Sequence, residues 1–515
     1  MAARGSSTAT MPPKPVIWPT WPTGRAGSPQ ADSASSTVAA ATGRADLRPR
    51  NELTDEERSL LTRIILLVTF LLVASMPPAL AQSQPRRQFI RDAEVENTIR
   101  TFGTPIFQAA GLDPAAVRIN LIIDPTLNAF VAGGQNIFFH TGLLVRSEHP
   151  GQLIGVMAHE TGHIAGGHLI RSTEAVANAS TEAILATLLA AAAGAATGRG
   201  DVGMAGALGG NELAMRNLLA FSRSQESQAD QMAMRFLDST HQSGKGLLEF
   251  FDILGDQEAL VSSRQDPYVR THPLTRDRVS FVRSQVDQSP WSKTPWSPEW
   301  IEMHRRMKAK LFAFIEPPIR TFQRYKEADT SIEARYARAI AAYRKPDLVM
   351  ALGLIDGLIK ERPNDPYFWE LKGQMLFENG RGPEAIEPYR KAVKLLPDSA
   401  LLRIALGQVL IESEDQSLLT EAENHLTAAV NREPEDVFAW QQLAIAFARD
   451  GKEGMASYAL AEHYMLAGKL SESLFHANKA EQLLGKQGSI WLRIQDIKER
   501  ASQVKADRDR ARKWW

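Results

Sequence analysis

A 34-residue period runs through the C-terminal half of this 515-residue chain and admits few architectures. With Trp369 at position four of a unit, Gly373, Gly380, Ala385, Tyr389, Ala392 and Pro397 fall where helix–turn–helix repeats need small or ring-bearing residues. Ala351 and Pro363 precede Ala385 and Pro397 by 34 residues. Ala422, Ala429 and Pro434 carry the pattern on after a short insertion around 412–419, and Trp440, Leu443, Ala444, Gly451 and Ala456 begin another unit. Gly468, Ser473, Ala477 and Ala480 close the series. Small residues at these positions let paired helices pack closely, and stacked pairs bury one continuous core.

This is the tetratricopeptide pattern, which predicts an all-α superhelix over residues 333–490. Such a superhelix holds peptides or partner proteins in its groove and performs no chemistry itself. Residues 491–515 read as a charged tail. Trp291, Trp296 and Trp300, interleaved with Pro290, Pro295 and Pro298, mark 286–332 as a linker with a helix. Any reaction must therefore belong to the residues upstream.

There, His159-Glu160-Thr161-Gly162-His163 lies in the apolar stretch Leu153-Ile154-Gly155-Val156-Met157-Ala158. Two histidines four apart share one helix face, so both imidazoles can reach a single Zn²⁺, one per chain, while Glu160 acts on water. A histidine pair on a buried face is costly unless something satisfies it. The chain has no cysteine, which rules out a thiol nucleophile, a disulfide framework and thiolate zinc ligands. Lysine plus arginine equals aspartate plus glutamate at 59 each, so no basic field points to nucleic acid.

The expected setting is an α+β domain, mostly helical with a small sheet, over residues 82–285. Apolar positions at helical intervals predict a helix over 88–111, and strand-like segments follow at 117–123, 129–131 and 136–140. A strand beside a zinc helix can hold an extended peptide by main-chain hydrogen bonds. A catalytic zinc needs a third protein ligand and one open position. Glu226 is the best candidate in Glu226-Ser227-Gln228-Ala229-Asp230, with Asp230 one turn on to accept the second ring N–H of a ligating histidine.

Asn128-Ala129-Phe130, Ile137-Phe138-Phe139-His140-Thr141-Gly142-Leu143-Leu144, the HETGH segment with Gly166-Gly167-His168, and Glu226 to Asp230 together resemble gluzincin metallopeptidases. Specifically, the order is similar to the family of the CAAX prenyl endopeptidase and the HtpX heat-shock protease. That resemblance implies His159, His163 and Glu226 as zinc ligands and Glu160 as general base. It places Arg278 near the site, and His272 in a His-Pro loop that approaches the metal, either plugging the open position or stabilising the oxyanion. His168, five residues past His163, would point away from the metal on a continuous helix and reads as structural. The Ala/Gly-rich stretch 183–210 reads as a buried helix, a flap over the cleft or an interfacial segment in peripheral contact with a membrane.

Residues 1–50 are rich in Ala, Ser, Pro, Thr and Gly, as disordered segments are. Arg63, the apolar run 64–74 and Ala79-Leu80-Ala81 follow, predicting a signal peptide cut near Ala81/Gln82. The sixty residues ahead of that run suggest a true start near Leu60 and a misplaced start codon. The expected protein is a periplasmic zinc endopeptidase. Its pairing of domains resembles Gram-negative proteases of outer-membrane quality control. The resemblance implies unfolded or stalled outer-membrane proteins as substrates and docking on the barrel assembly machinery through the repeats. The contrasting expectation is a chaperone-like assembly adaptor whose protease site is plugged.

Overall fold

The computed structural model describes residues 88–172, 222–258, 268 and 271–513. The leader with its cleavage site and the stretch 183–210 lie outside them. The chain enters as strand β1 (Gln88–Ile90) and turns into helix α1 (Ala93–Ala109) at Asp92, whose side chain accepts from the Val95 N–H. That cap sets the helix start five residues later than the apolar spacing predicts, and it frees 88–90 to pair as a strand. Strands β2 (Arg118–Ile123), β3 (Ala129–Ala132) and β4 (Asn136–His140) complete a four-stranded sheet in the order β1-β2-β4-β3. β2 and β4 run parallel, whereas the β1–β2 and β3–β4 pairs are antiparallel.

After a short helix α2 (Thr141–Arg146), helix α3 (Pro150–Ala165) carries HETGH, with every residue from Pro150 to His163 buried. Residues 222–239 form helix α4, followed by α5 (Lys245–Glu258) and α6 (Arg276–Gln288). The sheet and these helices enclose one apolar core that includes Phe102, Phe139, Leu153, Met157 and Phe250.

The helix expected within 286–332 is α7 (Pro298–Ile315), and it packs into the first domain. Trp300 sits 5.2 Å from Phe102, centroid to centroid, and His304 hydrogen-bonds the buried Ser147 hydroxyl at 2.8 Å. Deeper in, Lys310 Nζ lies 2.8 Å from Asp92 and 3.4 Å from Glu94, and Arg306 lies 2.7 Å from Glu94 and also pairs with Asp365. The Tyr336 hydroxyl donates to Glu94, and burial pushes the nearby Glu370 carboxyl up to about 8 against the pull of Lys310. Two cations thus face four carboxylates drawn from both halves of the chain. Buried charges are tolerated only when paired, so this cluster fixes which surfaces meet.

From Ile332 onward the helices pair as the period predicts: α8 is the short Pro318–Arg324, then α9 (Ile332–Arg344) with α10 (Leu348–Glu361), and α11 (Pro366–Glu378) with α12 (Gly382–Leu395). The pairs α13 (Ala400–Glu412) with α14 (Leu419–Arg432), and α15 (Val437–Arg449) with α16 (Glu453–Leu466), follow. The insertion near 412–419 is taken up by a 3₁₀ turn at Gln416–Leu418. Trp369 and Trp440 each donate their indole N–H to a proline carbonyl six residues back, Pro363 and Pro434, at 2.9 Å. One hydrogen bond thus recurs at one repeat position. Helix α17 (Leu470–Leu484) packs on α18 (Gly488–Lys513), which replaces the expected charged tail. Ile494, Ile497 and Ala501 fall on one face of α18 and are fully buried.

The core of the first domain does not stop at the first repeat. It continues through Tyr336, Ile340, Ile355 and Phe368 to Met375, while a second core fills the later repeats.

Candidate metal centre

Gly162 determines how closely the two helices of the site approach. A Cβ built there would lie 2.8 Å from the Ala229 carbonyl oxygen, so only glycine lets α4 cross α3 at this depth. The crossing brings the carboxylates of Glu226 and Asp230, one turn apart on α4, opposite the histidines of α3.

His159 Nε2 and His163 Nε2 stand 3.1 Å apart, and Glu226 reaches them at 3.3 and 3.4 Å. His272 enters from the segment before α6, with Nδ1 3.2 Å from both Glu226 oxygens and 3.4 Å from His159 Nε2. One donor atom from each of His159, His163, Glu226 and His272 lies within 4.8 Å of the others, and all four residues are buried. The donors are nitrogen and carboxylate oxygen, a set suited to a divalent transition metal. Glu160 is fully buried, neither of its oxygens has a hydrogen-bond partner, and Oε1 is 3.6 Å from His272 Nε2. A buried carboxylate without a hydrogen-bond partner is what a catalytic group, or one facing an ion or water, presents.

Electrostatics point the same way. Burial disfavours a charged His159 ring, yet Asp230 and Glu226 outweigh it and raise the ring to about 9. Burial would also raise Glu226, but His272 and His159 hold it far below the usual carboxylate range. His163 is pushed well down by burial and by its neighbours His159 and His272. The carboxylates thus favour positive charge beside His159 while His163 is held neutral with a lone pair to offer, and the residues present fit a metal ion.

The surrounding groups hold this geometry. His159 Nδ1 meets Asp230 Oδ1 at 2.9 Å, and Arg278 grips the same carboxylate through Nε at 2.6 Å and Nη2 at 2.9 Å. Arg278 also lies 3.0 Å from Glu226, donates to the Pro273 carbonyl, and covers the Phe251 ring at 5.1 Å. The structure therefore brings together every residue singled out for the site: His159, Glu160, His163, Glu226, Asp230, His272 and Arg278. Sequence reasoning missed Tyr268, fully buried and stacked on His272 at 4.4 Å, because no local spacing links it to the motif. His168 stays outside the donor cluster, as its spacing predicts, but its contact with the far side of the His163 ring was not foreseen.

Residues 91–286 match peptidase family M48, and residues 327–470 match the cytochrome c-type biogenesis protein H TPR domain. The chain thus pairs a domain that matches these peptidases with tetratricopeptide repeats, and it is a metalloendopeptidase. It is similar to the Beta-barrel assembly-enhancing protease of Yersinia pestis, 23% identical over 76% of this chain and 80% of that one. The protein of that name from Escherichia coli (strain K12) is 24% identical over 75% of this chain and 78% of its own length. A shorter likeness joins it to the Mitochondrial metalloendopeptidase OMA1 of Schizosaccharomyces pombe, 28% identical over 36% of this chain and 51% of that protein. Among the described residues, no helix is long and apolar enough to cross a membrane.

Proposed function

We propose that this chain is a periplasmic zinc endopeptidase that serves outer-membrane β-barrel assembly by degrading stalled or misassembled proteins. The observation that carries the reading is a set of convergent buried donors beside the carboxylate of Glu160, which has no hydrogen-bond partner. The names of the two long relatives support the setting in barrel assembly, and the predicted signal peptide supports export. In this reading His159, His163 and Glu226 hold one Zn²⁺, and Asp230, braced by Arg278, fixes the tautomer of His159. A bound zinc ion supplies Lewis acidity toward the scissile carbonyl. Glu160 takes a proton from the attacking water and returns it to the departing amine. The repeats offer the surface for partner proteins, including the barrel assembly machinery.

Casein cleavage by the purified protein, with and without a chelator, tests the reading. Cleavage that a chelator abolishes and Zn²⁺ restores supports it, whereas chelator-resistant cleavage or none from metal-loaded protein overturns it.

His272 favours a second reading, because it occupies the place a fourth ligand would take. As a plug it must leave before substrate enters, and a permanently seated plug would make the protein an assembly adaptor. His272→Ala is expected to raise casein cleavage at unchanged zinc content, since its removal favours the open state. Turnover that falls by about 10²–10³-fold would instead assign His272 to oxyanion stabilisation.

A further inference from the structure

The two histidines of the HETGH helix are braced differently. His159 turns its Nδ1 to a carboxylate, Asp230. His163 presents Nε2 to the donor cluster, and its Nδ1 lies 3.0 Å from Nδ1 of His168, with the two ring planes at 79°. A histidine that binds metal through Nε2 must carry its proton on Nδ1. That proton then needs an acceptor, and among the described residues the lone pair on His168 Nδ1 lies in reach.

This placement is built into the backbone. Helix α3 ends at Ala165, Gly167 takes a left-handed φ of +63°, and the chain resumes at 168 with its ring folded back over the last turn. A Cβ on Gly166 would sit 2.5 Å from His168 Nε2, so a side chain there would evict the ring. Gln225, the neighbour of Glu226 on α4, donates to the His168 carbonyl at 3.1 Å and accepts from the Ser172 hydroxyl at 2.9 Å. The turn that bears His168 is thereby tied to the helix that bears the carboxylate ligand.

We propose that His168 is a positioning residue for the metal centre: it accepts the Nδ1 proton of His163, fixes that ring's tautomer and aims Nε2 at the ion. The inference rests on the metal-site reading above. An imidazole is a weaker acceptor than a carboxylate, so His163 is the less firmly braced of the two ligands, and His168 marks where affinity for the ion is set.

Zn²⁺ affinity of the purified full chain, measured by competition with a chromophoric chelator, tests this, alongside the visible spectrum of the Co²⁺-loaded protein and the unfolding temperature of the metal-free protein. His168→Ala should weaken Zn²⁺ binding by about 10–100-fold and alter the Co²⁺ spectrum, with the metal-free unfolding temperature unchanged. His168→Asn, which restores an acceptor oxygen, should recover most of the affinity. Wild-type affinity and spectrum in His168→Ala overturn the proposal. So does equal loss in both variants accompanied by a lowered metal-free unfolding temperature, which would mean a packing role only. His159→Ala is the control: if it too binds Zn²⁺ normally, the metal-site reading fails, and not merely the role of His168.

Discussion

Glu160→Gln is expected to lower proteolysis by about 10²–10⁴-fold while zinc remains bound, because the glutamate acts on water and not on the ion. Its carboxylate lies within the site and has no hydrogen-bond partner, so the amide fits the same space without stranding another group. The split between activity and metal content is the informative readout. His159→Ala, His163→Ala and Glu226→Gln should each lose both, since each removes one of the three residues assigned to hold the ion. Zinc analysis of the purified variants beside a casein assay checks this, and zinc loss in Glu160→Gln would show that its role has been misassigned.

Lys310→Ala is expected to destabilise the whole protein by about 3–5 kcal/mol, the usual cost of leaving buried charges without their partner. Asp92, Glu94 and Glu370 would then face one another with Arg306 as the remaining nearby cation. Because these carboxylates belong to α1 and α11, the loss should appear in both halves at once. Denaturant unfolding followed by a probe in each half would show one shifted transition. Two separate transitions, with only one displaced, would mean that the halves fold independently. By the same argument, a fragment cut at 285 exposes the apolar surface that α7, Tyr336 and Phe368 cover and should not fold. A cut placed after the shared core, past Met375, is the better truncation.

What could be read from the sequence followed from range. Residues His159 and His163 are four apart, and the repeats restate one short pattern, so local spacing was enough for both. Glu226 could be picked out by its one-turn spacing to Asp230, whereas His272 came from resemblance, since nothing local ties it to a helix more than a hundred residues away. The cluster around Lys310 was invisible because its partners stand more than 200 residues upstream and 60 downstream, and an isolated lysine on a helix normally reads as solvated. Residues 491–513 looked like a tail because charges outnumber the three residues that bury, Ile494, Ile497 and Ala501. The contact of His168 with His163 was not legible because it forms where the helix ends, at Gly166-Gly167.

The array also returns to the sheet from which the chain sets out. Arg91, just past β1, pairs with Glu433 and Asp436 in the loop between α14 and α15, and Arg118 on β2 pairs with Glu435 in that same loop. A free solenoid flexes like a spring, but one welded at its root and buttoned partway along behaves as a braced arch. The weld is dry and indifferent to salt, whereas the button is half-exposed and weakens as ionic strength rises. Bending is thereby confined to the repeats beyond the button, so a partner pulling on the far end would strain that contact before it disturbed the catalytic half.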